Sequence, residues 1–374
     1  LLTNLLHIQY SLKPDRRKRQ FKPGKKLPFG ELRSEHLFLM DYSDGEWRSP
    51  RIVPYGPYLK WPGANHYGQF IFEGSKIFQH EDGELYTFRL EENAARQNHS
   101  SRLACIPEIP EEVQIEAVQA LADLDQLWFP LDDKNNPLDG ASLYIRPYIE
   151  ATEDFLGVRA SKEYLFGIFI SPSGSYYPEG FNSAVTYYLT NRFKRVAPNG
   201  MGSGKFGGSY GASLRAGEAA HEVGAKQVLY TDVNNEYLEE AGAMNHYHVT
   251  ADGEVVIPAF NENILRSITS CTFLALEDRL GHRVVQRRVK TKEFLEGLLD
   301  GSITEAGGLG TAAAVTSIGG YIQDIDDKLP REIQVGNGGI GPVSRKMYEL
   351  LTGIQTGRII LPDQDWLRKV ERRC

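Results

Sequence analysis

Cysteine is scarce in this chain. The three residues present, Cys105, Cys271 and Cys374, are odd in number and far apart. No pair has metal or redox spacing, which excludes a disulfide framework and points to a reducing compartment, with a cytoplasmic location as the expectation. No run reaches the roughly 18 apolar residues that a membrane helix needs, and no apolar h-region with a small-residue cleavage site is found. The nine histidines include no HExxH or similar metal spacing. His246 and His248 alternate along an expected strand, where one solvated face accounts for them without a metal. An excess of positive charge is missing too: the net charge is −7, which argues against a nucleic-acid partner. One segment departs from this, because Lys13, Arg16, Arg17, Lys18, Arg19, Lys22, Lys25 and Lys26 crowd the N-terminus. They read as a solvated arm over residues 1–27, with a targeting or anionic-surface role as the alternative. The chain begins at Leu1 without methionine, which fits a trimmed or incomplete N-terminus. There is no internal repeat and no low-complexity tract.

What is present describes an ordinary soluble globular chain, 41% hydrophobic and 24% charged. Its 374 residues exceed the roughly 250–300 at which single cores stop growing, so two domains are expected. Residues 36–42, 52–54, 143–149 and 164–170 read as strands, and 89–103 as a helix. A stronger helix covers 111–128, with Val113, Ala117, Leu121, Leu124 and Trp128 on one face at helical spacing. Pro172-Ser-Gly-Ser-Tyr-Tyr-Pro-Glu-Gly180 breaks regular structure. It is read as a linker over 172–182, between a smaller domain at 28–171 and a larger one at 183–374. In the second half, 184–189, 227–231 and 244–249 read as strands. Residues 210–223, 269–280, 292–299 and 342–354 read as helices, several with glycine stops. The fold class is α+β or α/β in two domains, with a cofactor site expected in the cleft between them.

The most informative segment is Gly200-Met-Gly-Ser-Gly-Lys205-Phe-Gly-Gly-Ser-Tyr210-Gly. Six glycines there would each cost a regular element about 0.5–1 kcal/mol relative to alanine, which makes sense if the backbone must pass close to something bulky. A phosphate-binding loop fails on spacing: only three residues separate Gly200 from Gly204, and Phe206 stands where a hydroxyl should hold magnesium. The other chemistry that wants an isolated lysine is a Schiff base with a carbonyl cofactor such as pyridoxal phosphate. That cofactor needs a carboxylate at its ring nitrogen, a hydroxyl near its phenolic oxygen and donors for its phosphate. Tyr210 can supply the hydroxyl, and Glu240, 35 residues beyond Lys205, the carboxylate.

Lys205-Phe-Gly-Gly-Ser-Tyr210-Gly followed by Glu240-Ala-Gly-Ala-Met-Asn245 resembles the signature of the branched-chain amino acid aminotransferases, of the fold-type IV group of pyridoxal phosphate enzymes. Pro50-Arg-Ile-Val-Pro54, Tyr67, Phe72-Glu-Gly74, Phe88-Arg89 with Arg96, Leu143-Tyr-Ile-Arg-Pro147 and Gly310-Thr-Ala312 follow in the family's order, over roughly residues 28–360. The resemblance implies that Lys205 carries the cofactor and moves the proton at the substrate Cα. It makes Glu240 the partner of the ring nitrogen, although neighbouring Glu239 could compete, and Tyr210 the donor to the phenolate. Arg96, the turn Ser267-Ile268-Thr269 opening a helix, and the amide of Thr311 would bind the phosphate. Phe29, Tyr67, Phe72, Tyr144, Tyr176 and Ala243 would enclose the substrate side chain. Arg146 would take the distal carboxylate of glutamate or 2-oxoglutarate, and Thr311 with Ala312 the α-carboxylate. Part of the pocket would come from a neighbouring subunit, which implies a homodimer.

The resemblance has gaps. Ala243 stands where some members carry threonine, Arg266-Ser267 replaces a Pro-Gly pair, and Ser270 replaces an arginine. Ala313 and Thr316 occupy the positions of a redox-sensing Cys-x-x-Cys found in eukaryotic members, which excludes that thiol switch. The expected activity is transfer of the amino group of leucine, isoleucine or valine to 2-oxoglutarate, with amino acids and 2-oxo acids as the partners. The alternatives are a D-amino acid transaminase, an aminodeoxychorismate lyase, or a catalytically silent binding protein on the same scaffold.

Overall fold

The computed structural model describes residues 7–10, 21, 27, 29, 32–56, 66–175 and 181–371. The basic residues 13–26 and Tyr176 lie outside them. The chain divides into two compact units, one from Leu1–Pro178, Gly204–Gly207 and Gly353–Cys374, the other from Glu179–Ser203 and Gly208–Thr352. Residues 204–207 and 353–371 thus group with the first unit, where the sequence reading had them in the second. The reason is local. The backbone of Lys205 is bonded to Phe72 and Ser100, and strand Leu367–Lys369 pairs with Leu85–Phe88.

In the first unit, helices α1 (Leu90–Leu103) and α2 (Glu111–Asp125) accompany a nine-stranded sheet. Its order is Gln9–Tyr10, Glu46–Pro54, His36–Ser43, Tyr164–Ser173, Ser142–Ala151, Ser75–Gln79, Leu85–Phe88 and Leu367–Lys369, with Phe70–Phe72 also on Ser142–Ala151. All its pairings are antiparallel except that of the first two strands. Side chains alternate across a strand. Phe38, Met40, Ile77, Ile145, Ile149, Phe166 and Ile168 therefore face one way, into a core with Ala117, Val118, Leu121 and Leu124 of α2. Lys76, Tyr144, Arg146 and Tyr148 stand on the opposite side of their strands. The expected helix over 111–128 stops at Asp125 and tightens into a 3-10 turn to Trp128. Asp125 accepts a 2.6 Å bond from His36 Nδ1, which ties that end of α2 to the sheet.

The second unit is built on another nine-stranded sheet, in the order Leu238–Ala241, Gln227–Thr231, Val185–Leu189, Ala314–Gln323, Ile303–Gly310, Met244–Thr250, Val255–Pro258 and Val284–Arg287, with Glu332–Gln334 added on Ala314–Gln323. Leu238–Ala241 pairs with Met244–Thr250 as well, so the hydrogen-bonded path closes on itself as in a small barrel. Helices α3 (Gly207–Glu222), α4 (Ile268–Ala275), α5 (Glu277–Leu280), α6 (Thr291–Asp300) and α7 (Pro342–Gln355) complete it. Phe294, Leu295 and Leu298 of α6 pack with Tyr187, Leu229, Ile303, Ile318 and Tyr321. Ala216 and Ala220 of α3 pack on Tyr188, Val228 and Tyr230.

Two expectations need correction here. The helix expected over 269–280 is interrupted at Leu276, giving α4 and α5. His246 and His248 are not on a solvated face: both are buried, beside Phe294 and Tyr321. Burial holds His246 well below the ordinary histidine range and brings His248 down to about 3. The cause is the covering of their strand by α6 on the side where water was expected. Among the described residues no helix is long and apolar enough to cross a membrane, and no cluster of three His, Cys, Asp or Glu side chains could hold a metal.

Candidate active site

In the first unit the strand Phe70–Phe72 and the segment 204–207 lie side by side. Phe72 N donates to Lys205 O at 3.1 Å, Lys205 N donates to Ser100 Oγ at 3.0 Å, and Ile71 bridges to Phe206. Lys205 is thereby fixed over the end of α1, with Nζ 4.8 Å from the centre of the Phe72 ring. Next in the chain, Glu73 is fully buried. Its carboxylate accepts from Arg96 Nε at 2.7 Å and Nη2 at 2.9 Å, from Asn93 at 2.8 Å and from the Gly74 amide at 3.0 Å. Burial alone would raise the Glu73 carboxyl. The charges of Arg96 and Lys205 and the bonds from Arg96 and Asn93 outweigh it and hold the group below the usual carboxylate range. The forked contact fixes one edge of the Arg96 guanidinium.

From Phe72 the same face continues into aromatic and cationic groups. The Arg146 guanidinium lies over the rings of Phe72 at 4.8 Å and Tyr144 at 5.2 Å, and its Nη2 donates to the Tyr144 hydroxyl at 3.0 Å. Phe29 meets Tyr144 edge-on at 4.7 Å. Tyr144 fits because position 74 is glycine: a Cβ there would come within 1.9 Å of its hydroxyl oxygen. Lys76 pairs in register with Tyr144 and is itself buried, which pushes its amine down to about 8. Lys205, Phe72, Arg96, Phe29, Tyr144 and Arg146 thus form one connected set. Tyr67 does not join it: its hydroxyl donates to the Leu156 carbonyl, and the residue is 43% exposed. Tyr176 lies outside the described residues.

In the second unit, Glu240 is the penultimate residue of strand Leu238–Ala241 and is buried. Its Oε1 accepts from the Leu265 amide at 2.7 Å and from Asn245 at 3.4 Å. Its Oε2 lies 3.1 Å from Arg195 Nε, an ion pair by distance whose N–H is not aimed along the line of contact. Arg195 is also buried and is anchored by donating to the carbonyls of Gly202 and Asn263. Glu239 points elsewhere, accepting from Asn263 Nδ2 at 2.7 Å, and burial raises its carboxyl against the opposing effects of Asn263 and Arg195. The two neighbouring acids are therefore unlike: one is matched to a fixed cation, the other is biased towards its neutral form.

The Glu240 network reaches the start of α4. Asn245 Nδ2 donates to Leu265 O, Ser270 Oγ donates to Asn245 Oδ1 at 2.8 Å, and Ser267 Oγ caps the helix by accepting from the Ser270 amide. The departures Ser267 and Ser270 are accommodated there by capping and by this bond. Ala243 is exposed in the two-residue turn between Ala241 and Met244. Thr311 and Ala312 lie in the turn that joins Ile303–Gly310 to Ala314–Gln323. Asn245 pairs with Leu309, so both turns sit at the same rim of the closed sheet as Glu240. Tyr210 is half-buried in the first turn of α3. Glu73, Ser100, Arg195 and Lys76 escaped sequence reasoning. Glu73 and Lys76 had a local signal, as charges inside the otherwise largely apolar run 70–78, and Glu73 stood within the motif Phe72-Glu-Gly74.

The sequence profile described as amino-transferase class IV matches residues 71–317, and the chain belongs to that family. It is 40% identical over 337 residues to branched-chain-amino-acid aminotransferase 2 of Bacillus subtilis (strain 168), covering 89% of each chain. Among solved structures, it is similar to the branched-chain amino acid aminotransferase of Escherichia coli. The TM-score is 0.71 and the identity 25%, with 90% of this chain and all of that one covered. The fold is shared too with the pyridoxal phosphate form of the branched-chain amino acid aminotransferase from Thermobaculum terrenum (TM-score 0.69, 22% identity, covering 91% of this chain and 100% of that one).

Proposed function

We propose that this protein is a pyridoxal 5′-phosphate-dependent transaminase that moves the amino group of leucine, isoleucine or valine to 2-oxoglutarate, giving branched-chain 2-oxo acids and glutamate in alternating half-reactions. When bound, the cofactor supplies the carbonyl that accepts the amino group and the electron sink for charge at the substrate Cα. The donor sets fit it: a buried carboxylate matched to a fixed arginine, an arginine oriented by a buried acid, and a capped helix start with amides to spare. Lys205 anchors the cofactor and carries the proton at the substrate Cα. Glu240 would face the ring nitrogen, with Arg195 beside its carboxylate at 3.1 Å. Tyr210 donates to the phenolic oxygen. Arg96, Ser267, Ile268, Thr269 and Thr311 hold the phosphate, where a helix start favours a dianion.

The substrate has two faces to satisfy. Phe29, Phe72 and Tyr144 offer apolar walls to an aliphatic side chain, and Arg146 offers a charge to the distal carboxylate of 2-oxoglutarate. Thr311 and Ala312 turn their amides to the α-carboxylate, beside Ala243. Tyr67, exposed and bonded to Leu156, fits a pocket completed by a second copy, and we read the assembly as a cytoplasmic homodimer. The observation that carries the reading is the connected set from Lys205 through Phe72 to Arg146 and, through Glu73, to Arg96. Purified protein supplied with the cofactor should show a visible absorption band that L-leucine bleaches and 2-oxoglutarate restores. A colourless protein, or a band bleached by D-amino acids alone, would overturn it.

A further inference from the structure

The second unit carries a cavity that none of this chemistry uses. It has a volume of about 360 Å³, at the lower end of the range of small-molecule sites, about 300–1,000 Å³. It lies where strand Met244–Thr250 ends and Ile303–Gly310 begins, so it is at the opposite ends of those strands from the turns bearing Ala243 and Thr311. At about 3.3 Å per residue, that is on the order of 20 Å along the sheet. Its wall combines Val289, Phe294 and Ile303 with His248, Arg287 and Asp252.

Two features point to a ligand there. First, His248 is 2% exposed, and its buried Nδ1 has no hydrogen-bond partner among the described residues. Buried polar groups are nearly always paired, and an unmet one costs about 1–3 kcal/mol. Second, the rim holds both signs of charge beside an apolar floor. Arg287 is half exposed and only loosely paired with Glu254 at 3.7 Å. Asp252 accepts from the Thr250 hydroxyl and keeps its carboxyl below the usual range chiefly through that bond. Opposite charges flanking an apolar surface match a zwitterion with a hydrocarbon side chain.

We propose that this cavity is a second binding site for a free aliphatic L-amino acid, with Arg287 taking its carboxylate, Asp252 its ammonium, and Phe294, Val289 and Ile303 its side chain. His248 completes the site with one ring nitrogen. Burial keeps that ring neutral, so it contributes a hydrogen bond without a charge that would favour one end of the ligand. A site of this kind would let the level of the amino acid be sensed away from the residues that bind it as substrate.

The test is equilibrium dialysis of labelled L-leucine against holoenzyme whose cofactor has been fixed to the protein by borohydride reduction, so that leucine cannot react. Saturable binding of one molecule per chain at up to millimolar leucine is expected. Arg287→Ala should weaken it at least tenfold, about 1.4 kcal/mol, and leave transaminase turnover of the unreduced enzyme unchanged. His248→Phe should weaken it likewise. 4-Methylpentanoate, which lacks the ammonium, should compete at least tenfold less well than leucine. Absence of saturable binding would overturn the proposal. So would binding untouched by Arg287→Ala, which would place the ligand elsewhere, or equal competition by 4-methylpentanoate, which would remove the amino-acid assignment.

Discussion

Glu73 is the most exacting place to test the electrostatics of the site. Glu73→Gln keeps the shape and one acceptor oxygen but removes the charge that faces Arg96 and Lys205. Charge-assisted bonds contribute about 1.5–3 kcal/mol each, and stripping one partner from a buried ion pair costs about 3–5 kcal/mol. Arg96 is only 10% exposed, so water replaces little of what it loses, and a destabilisation of about 3 kcal/mol is expected at pH 7. The sign with pH follows from the depressed carboxyl. Its contribution is fully present above the unfolded value near 4.5 and is lost as pH falls through the folded value. Urea unfolding of cofactor-free protein should therefore show a gap between wild type and variant that is constant from pH 6 to 8 and closes in acid. The variant should also hold the cofactor more weakly, because Arg96 is no longer oriented. Equal stability at pH 7, or a gap that persists unchanged in acid, would refute the reasoning.

Arg146→Ala should lower kcat/KM for 2-oxoglutarate by about 10- to 150-fold, the worth of one charge-assisted bond of about 1.5–3 kcal/mol, and spare the leucine half-reaction in steady-state kinetics. Equal losses would assign Arg146 to packing on Phe72 and Tyr144. Gly307→Ala should destabilise the second unit by about 1–3 kcal/mol or more in chemical denaturation, since the new Cβ would lie 2.2 Å from Thr316 O and 2.4 Å from the Tyr247 ring.

The strongly patterned elements were legible from sequence. The apolar stripe of α2 and the β-branched and aromatic strands Ser142–Ala151 and Tyr164–Ser173 lie where their periodicity puts them. Ile303–Gly310 was not legible, because Ala-Gly-Gly-Leu-Gly reads as a loop; its glycines are there to let Thr316, Tyr247 and Met244 approach. The burial of His246 and His248 was hidden for a different reason. Alternation gives the face on which a side chain lies, but whether that face meets water depends on α6, some 45 residues later in the chain. At the site, the residues with motif spacing could be named in advance, but their partners could not. Arg195 reaches Glu240 across 45 residues with no local pattern, and nothing near Tyr67 in sequence announces its bond to Leu156.

The central claim is amino-group transfer through Lys205. L-leucine labelled at its amino nitrogen, incubated with holoenzyme and 2-oxoglutarate, should yield labelled glutamate and 4-methyl-2-oxopentanoate in equal amounts. Lys205→Ala should cut that transfer by at least the roughly 10²- to 10⁴-fold that a positioned proton carrier provides. Glutamate without label, or transfer by Lys205→Ala at the wild-type rate, would contradict the account.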